Sequence, residues 1–345
     1  MSFIHNPNPQ VAAFGELMMR LSCPNGLRFA QADSFDTYYA GAEANVCVLL
    51  SRLGVSTRYI TRLPENDLGY TAADHLQRNS IDTSSILWNG QKLGLYFTEN
   101  GNSIRTTRVI YDRKNTAFTT LKKGEIDWKK ALNGAKYFHW SGIAAAVSES
   151  AMEVCKEGIQ AAKEMGLIIS ADFNYRSTLW DYGKHPSEIM PELLQYSDMV
   201  VADLDSANVY LGVETDKNAE TEVRFEQCAN ALKQHIPSLK TLGMSFRKSG
   251  ENFLHQYSGA IMHEGGLHFS KIHTLPAITD QIGSGDAFTA GLLFSRINNY
   301  EPSEAINFAT ACGVIKQSIK GDFALIRKEE VESLVKSGIS GRILR

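Results

Sequence analysis

Cysteine is scarce in this sequence and follows no pattern. Cys23, Cys47, Cys155, Cys228 and Cys312 are odd in number and include no Cys-x-x-Cys pair. They read as reduced thiols, mostly buried, in a cytoplasmic protein. The nine histidines show no metal-ligand spacing. No apolar run approaches the roughly 20 residues that span a bilayer, and Met1 to Gln10 is polar, without the apolar core of a signal peptide. Positive charge is not in excess: 35 Lys and Arg against 38 Asp and Glu leave a net charge of -3, which argues against nucleic acid as the main ligand. No Gly-x-x-x-x-Gly-Lys-Ser/Thr occurs, so a P-loop is excluded. Nine prolines leave no obvious linker in 345 residues, a length that suits one large α/β domain or two smaller ones.

What is present alternates. Val11 to Phe14 reads as a strand, and a helix opens at Ala40-Gly41-Ala42-Glu43-Ala44-Asn45-Val46 and closes at Gly54. Val55 to Leu63 is strand-like and precedes a helix to about Asn79. Leu93 to Thr98 and Arg105 to Tyr111 flank Glu99-Asn100-Gly101-Asn102-Ser103, a hairpin signal. Tyr137 to Trp140, Leu167 to Asp172, Met199 to Ala202 and Leu239 to Met244 are short apolar strands, and Glu149 to Met165 and Glu222 to His235 are helices. Pairs of short strands are expected from Asn252 to Phe269, and two helices near Ser303 to Ile319 and Lys328 to Lys336. This order implies a mostly parallel sheet with helices on both faces. The partly alternating segment Leu17 to Tyr39 and the early hairpin fit it poorly, and are expected to form a small separate sheet, a lid.

The most informative stretch is Asp280-Gln281-Ile282-Gly283-Ser284-Gly285-Asp286, before a helical pattern from about Asp286. Two glycines around a serine can turn the chain sharply, and a helix starting there adds unpaired N–H donors and a partial positive charge. Such a corner binds anions, phosphate above all. A carboxylate in it suits a base that takes a proton from a hydroxyl while the corner holds a migrating phosphoryl group. Read alone, the same residues are also a plain turn with an N-cap aspartate. A dinucleotide fingerprint does not fit, because its third glycine would fall at Phe288.

Together these residues resemble the ribokinase-like (PfkB) carbohydrate kinases over nearly the whole chain. The C-terminal signature of that family, Asp-Thr-x-Gly-Ala-Gly-Asp, stands here as Asp280 to Asp286, and its N-terminal Gly-Gly pair and Asn as Ala40-Gly41-Ala42-Glu43-Ala44-Asn45 with the first glycine lost. Arg52-Leu53-Gly54 and Asp67-Leu68-Gly69 sit where further markers fall. Within the family the chain is most similar to the 2-keto-3-deoxygluconate kinases, through Gly15-Glu16-Leu17, Tyr111-Asp112-Arg113, Trp140-Ser141-Gly142-Ile143, Asp172-Phe173-Asn174-Tyr175-Arg176 and Gly321-Asp322-Phe323.

The resemblance implies a single three-layer α/β/α domain over 1–345, with a small β-lid from about 17–39 and 93–118. It implies ATP-dependent phosphorylation of the terminal hydroxyl of a sugar acid, with Mg2+ and, as a further candidate, a monovalent cation. Asp286 would be the base, and the N–H groups around Gly283, Ser284 and Gly285 the anion hole. Gly41 and Asn45 would line the sugar pocket, and Ala309, Cys312 and Gly313 would lie near the adenine. Many relatives carry Asn-x-x-Glu after the strand matching Met199 to Ala202; here Asp203-Leu204-Asp205-Ser206 stands there, without the glutamate. Asp203 and Asp205 suit a hydrated magnesium, and Asp203 equally suits a helix cap. Thr241 to Gly250 does not match the usual nucleotide loop. Arg176, just past a parallel strand, and Arg113, on the lid, are candidates for the substrate carboxylate, and Tyr111, two residues from Arg113, shares a strand face that could close over the substrate. His139, between Phe138 and Trp140, reads as a core histidine. The expected partners are the sugar acid and ATP, with neither nucleic acid nor membrane, and a homo-oligomer through the lid. A kinase for fructose or ribose, or a sugar-binding member that has lost catalysis, are the alternatives.

Overall fold

Alternation within the short strands sets the layers. Ala12 and Phe14 of the first strand join one hydrophobic cluster, while Val11 and Ala13 face the other side. Val200 and Ala202 likewise oppose Met199 and Val201. A strand buried on both faces in this way must be covered by helices above and below. In the computed structural model of the protein, which describes residues 8–101, 105–249 and 254–338, this is the arrangement observed.

In chain order the strands are β1 (Val11–Phe14), β2 (Met18–Ser22), β3 (Asp36–Ala40), β4 (Thr57–Leu63), β5 (Ile86–Trp88), β6 (Gly94–Glu99), β7 (Arg108–Asp112), β8 (Tyr137–Ser141), β9 (Ile168–Asp172), β10 (Met199–Ala202), β11 (Thr241–Ser249), β12 (His255–His263), β13 (Gly266–Phe269) and β14 (His273–Leu275). The helices are α1 (Ala42–Arg52), α2 (Asp67–Arg78), α3 (Trp128–Leu132), α4 (Gly142–Ala146), α5 (Glu149–Glu164), α6 (Pro186–Leu194), α7 (Leu204–Leu211), α8 (Thr221–His235), α9 (Ser284–Ile297), α10 (Pro302–Lys316) and α11 (Lys328–Ser337). The main sheet runs β13-β12-β11-β10-β9-β8-β1-β4-β5, with β14 also on β12. It is parallel from β11 to β5, and antiparallel where β12 meets β11, β13 and β14. This is the ribokinase-like α/β fold.

Local chemistry starts and stops these elements as the sequence suggests. Ser148 caps α5 by accepting from the Ala151 N–H at 3.1 Å, and Gly166 at φ 74° follows its end. The expected parallel strands begin within two residues of their spans, while β5, parallel to β4, was not expected. One departure matters: β11 does not end at Met244 but continues as an antiparallel pair with β12, from Thr241 opposite His263 to Ser249 opposite His255. Its outer half is largely polar and partly exposed, so it lacks the buried alternation that marks a strand in sequence. The short helices α3, α4 and α6 were also not expected.

The segments about 17–39 and 93–118 contribute a four-stranded sheet of order β3-β2-β6-β7, with β2 and β6 parallel. The chain leaves this sheet after Asp112: Phe118 is buried in the main core, 5.1 Å from the Phe14 ring. Residues 102–104, within the expected hairpin signal, and residues 1–7, 250–253 and 339–345 lie outside the described residues. All five cysteines are buried and unpaired. No helix among the described residues is long and apolar enough to cross a membrane.

The two sheets are joined by buried charge. Arg20 of β2 lies within 2.8 Å of both Asp280 Oδ2 and Asp322 Oδ2, with its side chain 0% exposed. Its Nε donates to Thr98 Oγ1 at 2.9 Å, and the Tyr96 hydroxyl donates to Asp322 Oδ1 at 2.5 Å. Burial works against the charge on Arg20, but Asp322 and Asp280 outweigh it and hold its pKa above the ordinary value. Arg20→Met leaves two buried carboxylates without their counter-ion, so it is expected to cost about 3–5 kcal/mol. Urea denaturation reads this as a large drop in midpoint; an unchanged midpoint contradicts it.

Candidate active site

The corner that precedes α9 is built by glycine. Gly283 is left-handed at φ 85°, and a Cβ there would lie 2.3 Å from the Asp322 carbonyl oxygen, so only glycine fits. Asp280 shapes the approach by accepting from the N–H groups of Ile282 at 3.1 Å and Gly321 at 3.2 Å. Lys316, wholly buried, donates to the carbonyls of Asp280 and Ile319, each at 3.1 Å. The Ser284 N–H is taken by the Gln281 carbonyl at 3.2 Å. Among the described residues, the N–H groups of Gly283, Gly285 and Asp286 have no protein acceptor. The free donors of the corner are therefore these three; both the N–H and the hydroxyl of Ser284 are given to the Gln281 carbonyl, a correction to the sequence reading.

Asp286 stands in the first turn of α9, half-buried. Asn45 of α1 donates from Nδ2 to its Oδ2 at 2.6 Å, and the Gly41 N–H donates to Asn45 Oδ1 at 3.5 Å. The two signatures thus meet, one orienting the carboxylate of the other. Burial pushes the Asp286 carboxyl up to about 6, while the Asn45 hydrogen bond and the Arg176 charge pull the other way. A base poised there is charged at neutral pH and still able to take a proton.

Two further buried carboxyls crowd Asp286, and sequence reasoning named neither as a site residue. Glu43 of α1 accepts from Ser141 Oγ at 2.5 Å, and burial pushes it up to about 7. Asp172, at the end of β9, accepts from Thr289 Oγ1 at 3.0 Å and is pushed up to about 7 by burial and then by Asp286. An acidic residue one place inside an apolar helix start was the available signal for Glu43; Asp172 lay within a quoted motif. Arg176 follows Asn174, which takes the left-handed φ 41°, and its exposed guanidinium lowers the pKa of both Asp286 and Asp172.

Other candidates are placed differently from expectation. Arg113 is not a free cation on a lid strand. It lies one residue past β7, 6% exposed, where its Nε donates to Glu16 Oε2 at 2.9 Å. Nη2 of Arg113 lies 2.5 Å from the same oxygen, and Thr116 Oγ1 donates to Glu16 Oε1 at 2.6 Å. Buried, the guanidinium takes its counter-ion from its own chain. It still faces Tyr111, 5.5 Å from the ring centroid, as the two-residue spacing implied. Gly41 is fixed by packing: a Cβ would come 2.1 Å from the Glu16 carbonyl oxygen. Ala309, Cys312 and Gly313, expected near the adenine, are buried in helix and sheet packing. Ala309 and Cys312 are wholly buried in the α9–α10 contact, where a Cβ on Gly291 would lie 2.8 Å from Ala309 Cα and 2.9 Å from Cys312 Sγ, and Gly313 packs on Tyr257.

Asp203 is the N-cap of α7, its Oδ1 accepting from the Ser206 N–H at 2.8 Å, and Asp205 lies exposed in the first turn. No cluster of three or more metal-ligating side chains occurs among the described residues. His139 is a core residue: its Nδ1 lies 3.1 Å from Ser170 Oγ, and burial lowers it to about 4.

A half-buried carboxylate beside a glycine-built corner of free N–H groups, at the end of a parallel sheet, suits a phosphoryl-transfer enzyme acting on a hydroxyl. The chain matches the pfkB family of carbohydrate kinases over residues 8–324, and it belongs to that family. It is 32% identical over 334 residues to a 2-dehydro-3-deoxygalactonokinase of Haloferax volcanii, covering 96% of this chain and 98% of that one. Fructokinase-2 of Solanum lycopersicum is 25% identical over 346 residues, covering 95% and 96%. The crystal structure of a 2-dehydro-3-deoxygluconokinase from Thermotoga maritima matches with a TM-score of 0.90 at 33% identity, over 96% of this chain and 100% of that one. The protein is a carbohydrate kinase.

With the base near 6, turnover is expected to fall as pH drops below about 6, because protonated Asp286 cannot accept the hydroxyl proton. Asp286→Asn should lower kcat by roughly 10²–10⁴ and abolish that acid limb while leaving sugar affinity similar. A variant that keeps a tenth of wild-type turnover contradicts the role.

Proposed function

We propose that this kinase phosphorylates the terminal hydroxyl of a six-carbon 2-keto-3-deoxy sugar acid, 2-keto-3-deoxygluconate first among them, with ATP as donor. The observation that carries the reading is Arg176. Its guanidinium has no carboxylate partner among the described residues, donates only to the Tyr175 carbonyl at 2.9 Å, and acts electrostatically on Asp286. A site that holds the phosphates of ATP repels a second anion, and an unpaired arginine at the far end of the sugar offsets that cost. One relative, the 2-dehydro-3-deoxygalactonokinase, and one structural neighbour, the 2-dehydro-3-deoxygluconokinase, support the same substrate class.

In this scheme Asp286, oriented by Asn45, takes the proton of the acceptor hydroxyl as the terminal phosphoryl group moves in line from ATP. The N–H groups of Gly283, Gly285 and Asp286 receive its negative charge. Magnesium, carried on the phosphates of ATP, would supply charge neutralisation there. The exposed carboxylates Asp203 and Asp205 suit a hydrated ion of this kind, and the second oxygen of Asp203 is left over from capping. The β3-β2-β6-β7 sheet would cover the sugar, with Tyr111 at its edge. Its outer strand β7 exposes Val109, Ile110 and Tyr111, an edge suited to pairing with a second copy of the chain. The work would be done in the cytoplasm.

A kinase for a neutral sugar is the second reading, favoured by one observation: Glu16 already neutralises Arg113, one of two cations expected for the carboxylate. A substrate panel at fixed ATP and magnesium separates the two. The expected outcome is a large preference for the acid over fructose or ribose. Arg176→Ala should lower kcat/KM for the acid about 30-fold or more and change that for fructose far less. Equal losses on both substrates, or equal turnover of both by the wild type, would exclude the sugar-acid reading.

A further inference from the structure

The outer half of β11 carries an arginine whose position nothing above explains. Pairing of β11 with β12 sets Arg247 opposite Tyr257. The guanidinium lies over the Tyr257 ring, 5.7 Å from its centroid, and Nη2 donates to Ser284 Oγ at 3.0 Å. Ser284 Oγ in turn donates to the Gln281 carbonyl at 2.7 Å, which turns a lone pair towards the arginine. Both partners are neutral. Among the described residues no carboxylate pairs with Arg247, and its side chain is exposed. The charge is therefore held in place without being neutralised.

It is held at the mouth of the anion corner. A Cβ built on Gly285 would find one heavy atom within 4 Å, Nη2 of Arg247 at 3.9 Å. The space beyond the Gly285 backbone is thus open except on the side where the guanidinium stands. Three unpaired N–H groups and an arginine without a carboxylate partner lie together around this opening, and Ser284 and the Tyr257 hydroxyl occupy only part of the fork's five donors. The sugar acid cannot supply an anion there. Its acceptor hydroxyl must lie at Asp286, so its carboxylate points away from the corner, towards Arg176.

We propose that Arg247 is a catalytic residue that binds the terminal phosphate of the nucleotide and stabilises the charge on the phosphoryl group in transfer. The proposal rests on the corner being the phosphoryl site, and not on which sugar is the acceptor. Arginine at such a place opposes the negative charge that spreads over the equatorial oxygens. It also gives a physical role to the segment Thr241 to Gly250, which departs from the usual nucleotide loop.

The test compares wild type with Arg247→Gln and Arg247→Lys, in steady-state kinetics and in titrations with ATP, ADP and AMP without sugar. For Arg247→Gln, kcat/KM for ATP is expected to fall about 10²-fold with KM for the sugar unchanged. Its affinity for ATP should drop to that for ADP, while AMP binds as to wild type, which also reports that the variant is folded. Arg247→Lys should recover part of both losses. Loss of AMP affinity in proportion to ATP, or kcat/KM for ATP within threefold of wild type, overturns the assignment. The titrations need no acceptor, so the arginine assignment can stand if the sugar acid proves not to be the substrate. A wild type that does not prefer ATP to AMP would instead remove the corner as the phosphoryl site.

Discussion

Arg20 and Lys316 hold the anion corner together from opposite sides. Arg20 reaches Asp280 and Asp322 from the small sheet, and Lys316 reaches the Asp280 carbonyl from the end of α10. Two cations and two carboxylates are thereby buried together, with the Tyr96 hydroxyl completing one of them. Burying ions is costly, and the cost is offset only when every partner is in place. The turn at Gly283 sits directly against Asp322, so its left-handed geometry depends on this cluster being intact. Lifting β2 and β6 off the main sheet as a rigid unit would leave those charges unpaired. Movement of the small sheet is therefore easiest at β7 and its exposed edge.

The same constraint sets the chemistry of the base. Asp286 is crowded by Glu43 and Asp172, each buried and pushed up to about 7. Burial raises the base first and the Asp322 charge adds to it, while Asn45, Arg176 and Lys316 pull it down. The result near 6 is a compromise between burial and these neighbours. The cations around it divide into two groups. Arg20, Lys316 and Arg113 are committed to partners within the chain, whereas Arg176 and Arg247 have no carboxylate pair among the described residues.

Much of this was legible in the sequence because it is local. The parallel strands stand out as short apolar runs, and the two glycine-containing signatures name Asn45, Asp286 and the corner. What was not legible depends on partners far apart in the chain. Arg113 and Arg176 look alike in sequence; only packing shows that one is paired with Glu16, while the other has no carboxylate pair among the described residues. Ala309 and Cys312 of α10 were read by position alone, and their small side chains serve the close crossing with α9, while Gly313 packs on Tyr257. The role of Arg247 was hidden because the outer half of β11 is largely polar, and periodicity marks only strands with a buried side. Asp203 keeps two readings even with its cap in view, since a capping carboxylate retains an oxygen for other work.

The most direct measurement is a crystal structure with 2-keto-3-deoxygluconate and a non-hydrolysable ATP analogue bound together. The terminal hydroxyl should lie about 2.6–3.2 Å from the Asp286 carboxylate, the sugar carboxylate against Arg176, and the last phosphate between the corner N–H groups and Arg247. A sugar bound in the opposite sense, with its carboxylate in the anion corner and no hydroxyl at Asp286, would contradict the assignment of both ends of the site.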